Sequence, residues 1–283
     1  MTSRVAVIGW PVNHSRSPLI HTYWLDRYGI DASYGALAIE PDKAPDWFGT
    51  FAKQGLVGAN VTIPHKQVAF DACHTLDERA SRLGAVNTLW LEAGALRGTS
   101  TDGAGFMAHL VATAPQWRQH AHAAAALVLG AGGAARAIVE ALAEAGVETI
   151  IIANRTAERA HQIATHFAEY HPQHTFKPVD LATAGDFLPT VGLLVNTTSM
   201  GMAGHPALDL DLATLPEKAT VYDIVYTPLE TPLLADARAL GLVPVDGLGM
   251  LLHQAAPAFE RWFGILPEVT DELRQMVIDD LNR

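Results

Sequence analysis

The sequence predicts an α/β protein of two units. An N-terminal α/β unit comes first, a doubly wound unit built on a parallel sheet follows, and the last helices return to the first unit. Three observations carry this. Short apolar runs alternate with helical patterns along all 283 residues, and strand–helix alternation gives parallel sheet covered on both faces. A strand, a glycine-rich turn and a helix follow one another between Leu127 and Ala145. The alternation breaks around Pro115, and a chain of this length suits two domains of ordinary size.

In order, Arg4–Ile8 reads as a strand and Ser17–Tyr28 as a helix whose first turn accepts Pro18. Tyr34–Ile39 and Gly58–Ile63 read as strands, and Pro64–Cys73 as a helix. Ala85–Leu91 and Ala95–Gly98 pair as a hairpin about Glu92–Gly94, and Gly103–Thr113 is a helix leading into the linker. The alanine-rich stretch Ala121–Ala126 runs straight into Leu127–Leu129 and is read as the entry to a buried strand. Gly133–Ala145 is a helix, Thr149–Ala153 a strand and Ala157–Tyr170 a helix. Gly192–Asn196 and Thr220–Val225 are strands. Thr231 and Pro232 open a helix that Gly241 closes. Val243–Val245 is a short strand, and Leu248–Phe263 and Asp271–Leu281 are helices. The sheet from about Ala123 to Val245 is complete without those last helices, which assigns them to the first unit.

Hydrophobic residues make up 49% of the chain and charged residues 17%, enough apolar material for two cores and too much for global disorder. The formal net charge of −11 argues against a nucleic-acid partner, whose phosphates need a basic face. An anionic ligand would have to be met by a few Lys and Arg, helix N-termini and backbone amides. Cys73 is the single cysteine, which rules out an intrachain disulfide and a thiolate metal site and fits a reducing cytosol. The N-terminal apolar run is too short for a signal peptide, and no window approaches about 18 uninterrupted apolar residues. The expectation is a cytoplasmic protein, monomer or homodimer, with a small-molecule partner and no membrane.

The run Leu127-Val128-Leu129-Gly130-Ala131-Gly132-Gly133-Ala134-Ala135 is strand, turn and helix start. Gly130, Gly132 and Ala135 fit the G-x-G-x-x-A dinucleotide fingerprint: a tight turn, a backbone open to a pyrophosphate, and a small residue for close packing. The next strand ends on Asn154-Arg155-Thr156, with Arg159 following. An NAD site usually carries Asp or Glu at that end. Here no carboxylate stands there, and two guanidinium groups suit a 2′-phosphate, since Arg offers planar bidentate donors. The residues therefore predict NADP, the alternative being surface arginines paired with Glu158.

The first unit carries uncharged polar groups near strand ends, where ligands bind in open α/β sheets. His14-Ser15-Arg16-Ser17-Pro18 follows the first strand. Asn60 and Thr62 share one face of the third, because side chains alternate. His65 and Lys66 come next, then Asn87-Thr88 and Thr101-Asp102-Gly103. Such a set of hydroxyl and amide groups with one cation and one carboxylate suits a polyhydroxylated carboxylic acid. Taken singly, Ser15, Ser17 and Asp102 also suit helix N-caps, and Asn87 a turn. Together with Lys66 they point to a site.

Gly9-Trp10-Pro11-Val12-Asn13-His14-Ser15-Arg16-Ser17-Pro18, Gly58-Ala59-Asn60-Val61-Thr62-Ile63-Pro64-His65-Lys66, Gly84-Ala85-Val86-Asn87-Thr88, Ser100-Thr101-Asp102-Gly103, the glycine loop through Arg136, Asn154-Arg155-Thr156 and Asp246-Gly247-Leu248-Gly249-Met250 resemble, in order, the motifs of the shikimate dehydrogenase family. The resemblance covers almost the whole chain. It implies a shikimate-binding α/β domain over residues 1–103, completed by helices over 246–283, and an NADP-binding Rossmann domain over 104–245. It implies NADPH-dependent reduction of 3-dehydroshikimate to shikimate. By it Ser15, Ser17, Asn60, Thr62, Lys66, Asn87, Asp102, Tyr226 and Gln254 match substrate contacts, and Lys66 and Asp102 the catalytic pair. Gly130, Ala131, Gly132, Gly133, Ala134, Ala135, Asn154, Arg155, Thr156, Arg159, Ile224 and Gly247 match the cofactor site. Two positions depart from the family: Ser100 replaces a usual Asn, and Ile224 a frequent Met.

Among the thirteen histidines, the pairs His120/His122 and His171/His174 have no third ligand near in sequence, so no metal is expected. His65 is expected on a helix surface, with proton shuttling by it or by water as the alternative to Lys66. The rival function is a quinate/shikimate dehydrogenase using NAD or both cofactors. A nucleotide-sensing protein without catalysis would be marked by loss of Lys66 or Asp102, and both are present.

Overall fold

Val5, Ala6, Val7 and Ile8 are all buried in β1 (Ser3–Gly9), the strand from which the first sheet grows on both sides. A computed structural model describes residues 2–119 and 125–283. His120, His122 and the start of the alanine-rich stretch lie outside the described residues. Contacts divide the chain into Met1–Thr101 with Leu252–Arg283, and Asp102–Leu251.

In the first unit β1 pairs in parallel with β2 (Ala32–Ala38) and β3 (Gly58–Val61). The strand order is β2-β1-β3-β5-β6-β4, with β4 (Thr75–Leu76), β5 (Thr88–Glu92) and β6 (Ala95–Thr99). This sheet is mixed, not parallel throughout. Ala93 (φ 51°) and Gly94 (φ 81°) make the tight turn between β5 and β6, and a two-residue hairpin forces antiparallel pairing. β5 is antiparallel to β3 as well. Around the sheet lie α1 (Ser17–Tyr28), α2 (Ala44–Gly49), α3 (Lys66–Ala72) and α4 (Glu78–Leu83). Sequence patterning gave no sign of α2 and α4, because six residues are too few to display a helical period.

The second unit opens with α5 (Asp102–Thr113). Its sheet comprises β7 (Ala125–Leu129), β8 (Thr149–Asn154), β9 (Thr175–Asp180), β10 (Val191–Asn196), β11 (Thr220–Asp223) and β12 (Val243–Val245). The order is β12-β11-β10-β7-β8-β9 and every pairing is parallel. From β7 the chain runs out to β9, then returns to start again at β10 on the other side. The β7 end is therefore the switch point where such sheets bind ligands. β9 escaped the sequence analysis because it contains Pro178, which an edge strand tolerates. The connecting helices are α6 (Gly133–Glu144), α7 (Ala157–Tyr170) and α8 (Pro232–Ala239). An apolar cluster including Leu127, Leu129, Ile151, Leu194, Val221 and Leu234 forms the core.

The division between units falls inside α9 (Leu248–Phe263), and α10 (Asp271–Leu281) lies wholly in the first unit. There the Trp262 indole N–H donates to the Leu89 carbonyl at 2.9 Å. Gly58 makes room for it: a β-carbon on Gly58 would overlap Trp262 Nε1. The Trp24 indole donates to the Glu268 carbonyl at 3.1 Å, so the C-terminal helices complete the first unit. Among the described residues no helix is long and apolar enough to cross a membrane.

Candidate active site

In the first unit the candidate side chains hang on the loops that leave β1, β3 and β6 and on α9. Ser15 Oγ accepts the Ser17 backbone N–H at 3.3 Å. Neither serine caps α1, whose N-cap is Arg16 without a side-chain bond, so the capping alternative is set aside for both. Arg16 is turned to Asp280 at 2.8 Å. Thr62 and Lys66 share one turn: the His65 amide donates to the Thr62 carbonyl at 3.0 Å, and Lys66 is the first residue of α3.

Asn60, Asn87 and Gln254 come together in one net, buried at the asparagines and half-buried at Gln254. Asn60 Nδ2 donates to the Asn87 carbonyl at 3.2 Å and to Thr88 Oγ1 at 3.3 Å. The Thr88 hydroxyl donates to Asn87 Oδ1 at 2.9 Å. That same oxygen accepts the Thr101 amide at 2.9 Å. Asn87 Nδ2 reaches Thr101 Oγ1 at 3.0 Å and Gln254 Oε1 at 3.3 Å. Asn87 thus does more than satisfy a turn: it ties β5, the end of β6 and α9 together. Asp102 follows Thr101 directly and opens α5.

His65 corrects an expectation. It is buried, not on a helix surface, and its Nε2 lies 2.7 Å from the Ile39 carbonyl. A carbonyl only accepts, so Nε2 carries the proton and is spent on that bond. His171 and His174 are likewise committed, to Glu140 at 2.9 Å and to the Val147 carbonyl at 2.7 Å. Among the described residues no group of three His, Cys, Asp or Glu side chains is placed to hold a metal ion.

In the second unit Gly130 has φ 107°, a conformation open to glycine, and a β-carbon there would meet Thr197 Oγ1 at 2.5 Å. Gly132 is the N-cap of α6, and a β-carbon on it would meet nothing within 4 Å. The first turn of α6 carries no acidic residue. Open space above an uncompensated helix N-terminus is what a phosphate requires. Asn154 Nδ2 donates to the Thr156 carbonyl at 2.9 Å, shaping the turn that exposes Arg155. Arg155 lines a cavity of about 500 Å³ with Asp180, Leu181, Met200 and Leu208. Arg159 is exposed one helical turn on and is not part of that lining. Ile224 and Gly247 are brought together: a β-carbon on Gly247 would overlap the Ile224 carbonyl oxygen.

Sequence reasoning missed the buried groups behind these loops. Asp223 accepts Asn196 Nδ2 at 2.9 Å, the Val225 amide at 3.1 Å and the Thr231 hydroxyl at 2.7 Å. It fixes the turn leading to Tyr226. Burial pushes its carboxyl up from the ordinary range, against the pull of those three donors. Its signal was a carboxylate inside an apolar strand, at a place where alternation predicts none.

Family models match three stretches of the chain: a shikimate dehydrogenase substrate binding domain over residues 7–89, a shikimate/quinate 5-dehydrogenase over 112–200, and a shikimate 5′-dehydrogenase C-terminal domain over 247–271. A relative from Methylocella silvestris named shikimate dehydrogenase (NADP(+)) is 52% identical over 280 residues, 99% of this chain and 97% of its own. A shikimate 5-dehydrogenase from Thermus thermophilus, solved with NADP(H) and shikimate, is 35% identical with a TM-score of 0.83 over 99% of each chain. A quinate dehydrogenase from Corynebacterium glutamicum, solved with NAD, is 29% identical with a TM-score of 0.88, over 98% of this chain and 99% of that one. The matched stretches include the loops after β1 and β3, the glycine turn and α9, and with the relatives' identity over nearly the whole chain they show that the chain belongs to the shikimate dehydrogenase family.

Proposed function

We propose that the chain is an NADP-dependent shikimate dehydrogenase, reversibly reducing 3-dehydroshikimate to shikimate in aromatic amino-acid and chorismate biosynthesis. The observation that carries this is the net of buried Asn60, Thr88, Asn87 and Thr101 with half-buried Gln254, in the unit that also holds Ser15, Ser17, Thr62 and Lys66. A polyhydroxylated ring acid needs directional amide and hydroxyl groups held rigidly, with few formal charges. In this reading Ser15, Ser17, Asn60, Thr62, Lys66, Asn87, Asp102, Tyr226 and Gln254 bind the substrate, and Asn60 also supports Asn87.

The residues of the second unit fit NADP. The Gly130–Ala135 turn leaves open space at the α6 N-terminus, and Arg155 lines a cavity with Asp180, Leu181 and Met200. Asn154, Arg155, Thr156 and Arg159 are assigned to the 2′-phosphate end, and Ile224 and Gly247 to the cofactor lining. When bound, NADPH supplies the hydride. Reduction of a ketone leaves an alkoxide on the substrate, and Lys66 delivers the proton to that oxygen. In the oxidative direction Lys66 takes the proton from the same hydroxyl, with Asp102 as its partner. His65 is assigned a structural role in this reading, supported by the bond of its Nε2 to the Ile39 carbonyl. The reading makes the protein cytoplasmic, monomer or homodimer.

Initial rates at the nicotinamide absorbance band, with shikimate and quinate each against NADP and NAD, test the proposal. Shikimate with NADP should be the fastest pair. A preference for quinate with NAD would replace this reading with the quinate one, and no turnover with any pair, in folded protein, would overturn it.

A further inference from the structure

We propose that Tyr34 is a positioning residue for substrate recognition: its buried hydroxyl starts a one-way relay of hydrogen bonds that fixes the orientation of the Asn87 carboxamide. The inference rests on the proposed reading of Asn87 as a substrate contact.

Tyr34, Asn60, Thr88 and Asn87 are all buried. The Tyr34 hydroxyl donates to Asn60 Oδ1 at 2.6 Å. A carboxamide can be turned end for end, so its orientation must be decided by its neighbours. Here the decision is sharp. The Asn87 carbonyl already accepts the Val61 amide at 2.8 Å and faces Asn60 at 3.2 Å. Turning Asn60 over would set one acceptor oxygen against another. Asn60 Nδ2 must therefore point to Asn87 and Thr88, which leaves Oδ1 for Tyr34. Thr88 receives on its oxygen, so its single proton goes on to Asn87 Oδ1. With its oxygen filled by Thr88 and by the Thr101 amide, Asn87 presents N–H groups outward, toward Thr101 Oγ1 and Gln254 Oε1. Each bond in the series has one allowed direction.

The relay starts at Tyr34 because its short bond to Asn60 Oδ1, at 2.6 Å, is the dominant contact of the hydroxyl, with Ser17 a weaker one. His21 stacks face to face on the Tyr34 ring, centroids 4.2 Å apart and planes 9° apart. A stacked ring holds its nitrogens beside the phenol ring, not in line with the hydroxyl. Among the described residues neither His21 nitrogen makes a well-formed hydrogen bond, its contact with Asn60 being a weak one. Trp24, Trp262 and Phe259 close the aromatic wall around it. Burial holds the phenol proton on by pushing Tyr34 well above its ordinary range, against a smaller pull from Ser17.

Losing the Tyr34 hydroxyl leaves Asn60 Oδ1 buried without its donor. A relay has a signature that independent packing defects lack: cutting it once is the same as cutting it twice. The test measures KM for shikimate in Tyr34→Phe, Thr88→Val and the double variant, with KM for NADP and a thermal melt alongside. Losing one neutral hydrogen bond is worth up to about tenfold. Each single variant should raise the shikimate KM by roughly that factor, and the double variant by about tenfold also, not about a hundredfold. Thr88→Ser, which keeps the hydroxyl, should restore KM to within about twofold, and NADP KM should stay within about twofold throughout. An unchanged shikimate KM in Tyr34→Phe, or multiplying effects in the double variant, overturns the relay while leaving the proposed function standing. If Tyr34→Phe does not fold, Thr88→Val against Thr88→Ser decides alone, and equal KM values there overturn it. Wild-type protein without shikimate turnover overturns both.

Discussion

Lys66 and His65 are neighbours in sequence in different settings: His65 is buried on the Ile39 carbonyl, while Lys66 is half-buried at the first position of α3. Removing a general acid–base group typically costs about 10²–10⁴ in rate. Lys66→Ala should therefore lower kcat by about 10² or more, and His65→Ala should leave it within about tenfold. If Lys66→Ala raises KM alone, Lys66 is a binding residue. Arg155 is the cavity-lining guanidinium and Arg159 is not, so Arg155 should carry most of the cofactor preference. Charge-assisted hydrogen bonds contribute about 1.5–3 kcal/mol, so Arg155→Ala should weaken NADP about 10- to 100-fold. NAD binding should be unaffected, and equal weakening of both cofactors would contradict the 2′-phosphate role. These groups could be singled out in the sequence because they stand in motif positions at strand and helix ends. Tyr34 and Asp223 were not, because a tyrosine in a strand reads as packing and a lone carboxylate shows nothing of its three donors.

The elements divide by the same logic. β7, the glycine turn and α6 were legible because the fingerprint glycines sit between a run of apolar residues and an amphipathic helix. α7, α9 and α10 match the sequence boundaries because they span three turns or more. α2, α4 and β9 were invisible, being short or broken by proline. The antiparallel half of the first sheet was under-read because the hairpin was seen but its consequence for the neighbouring β3 was not. Gly58 shows how closely elements are fitted. A β-carbon there would overlap Trp262 Nε1 and meet the Leu89 carbonyl at 2.7 Å. Gly58→Ala should lower stability by about 1–3 kcal/mol through overpacking, read as a lower denaturation midpoint. An unchanged midpoint would mean that α9 is free to shift on the first sheet.

At the scale of the whole molecule, a chain with net charge −11 leaves the α6 N-terminus open and Arg155 exposed, and keeps its most buried polar groups neutral or paired. His21 is the extreme case: burial lowers it from 6.5 to about 3, against a weaker contact with Asn60. The unfolded chain binds this proton below about 6.5 and the folded one only near 3, so stability is full above that window and is lost as pH falls through it. One such proton changes stability by roughly 1.4 kcal/mol per pH unit. His21→Phe should flatten the profile of unfolding free energy between pH 4 and 6 by about that slope, and an unaltered slope would mean that His21 is reached by solvent. The central claim is that both units serve one reaction. It is tested most directly by incubating the protein with shikimate and NADP, following NADPH by absorbance and identifying the product. The account predicts one 3-dehydroshikimate for each NADPH formed; folded protein that forms neither, or NADPH without that product, would contradict it.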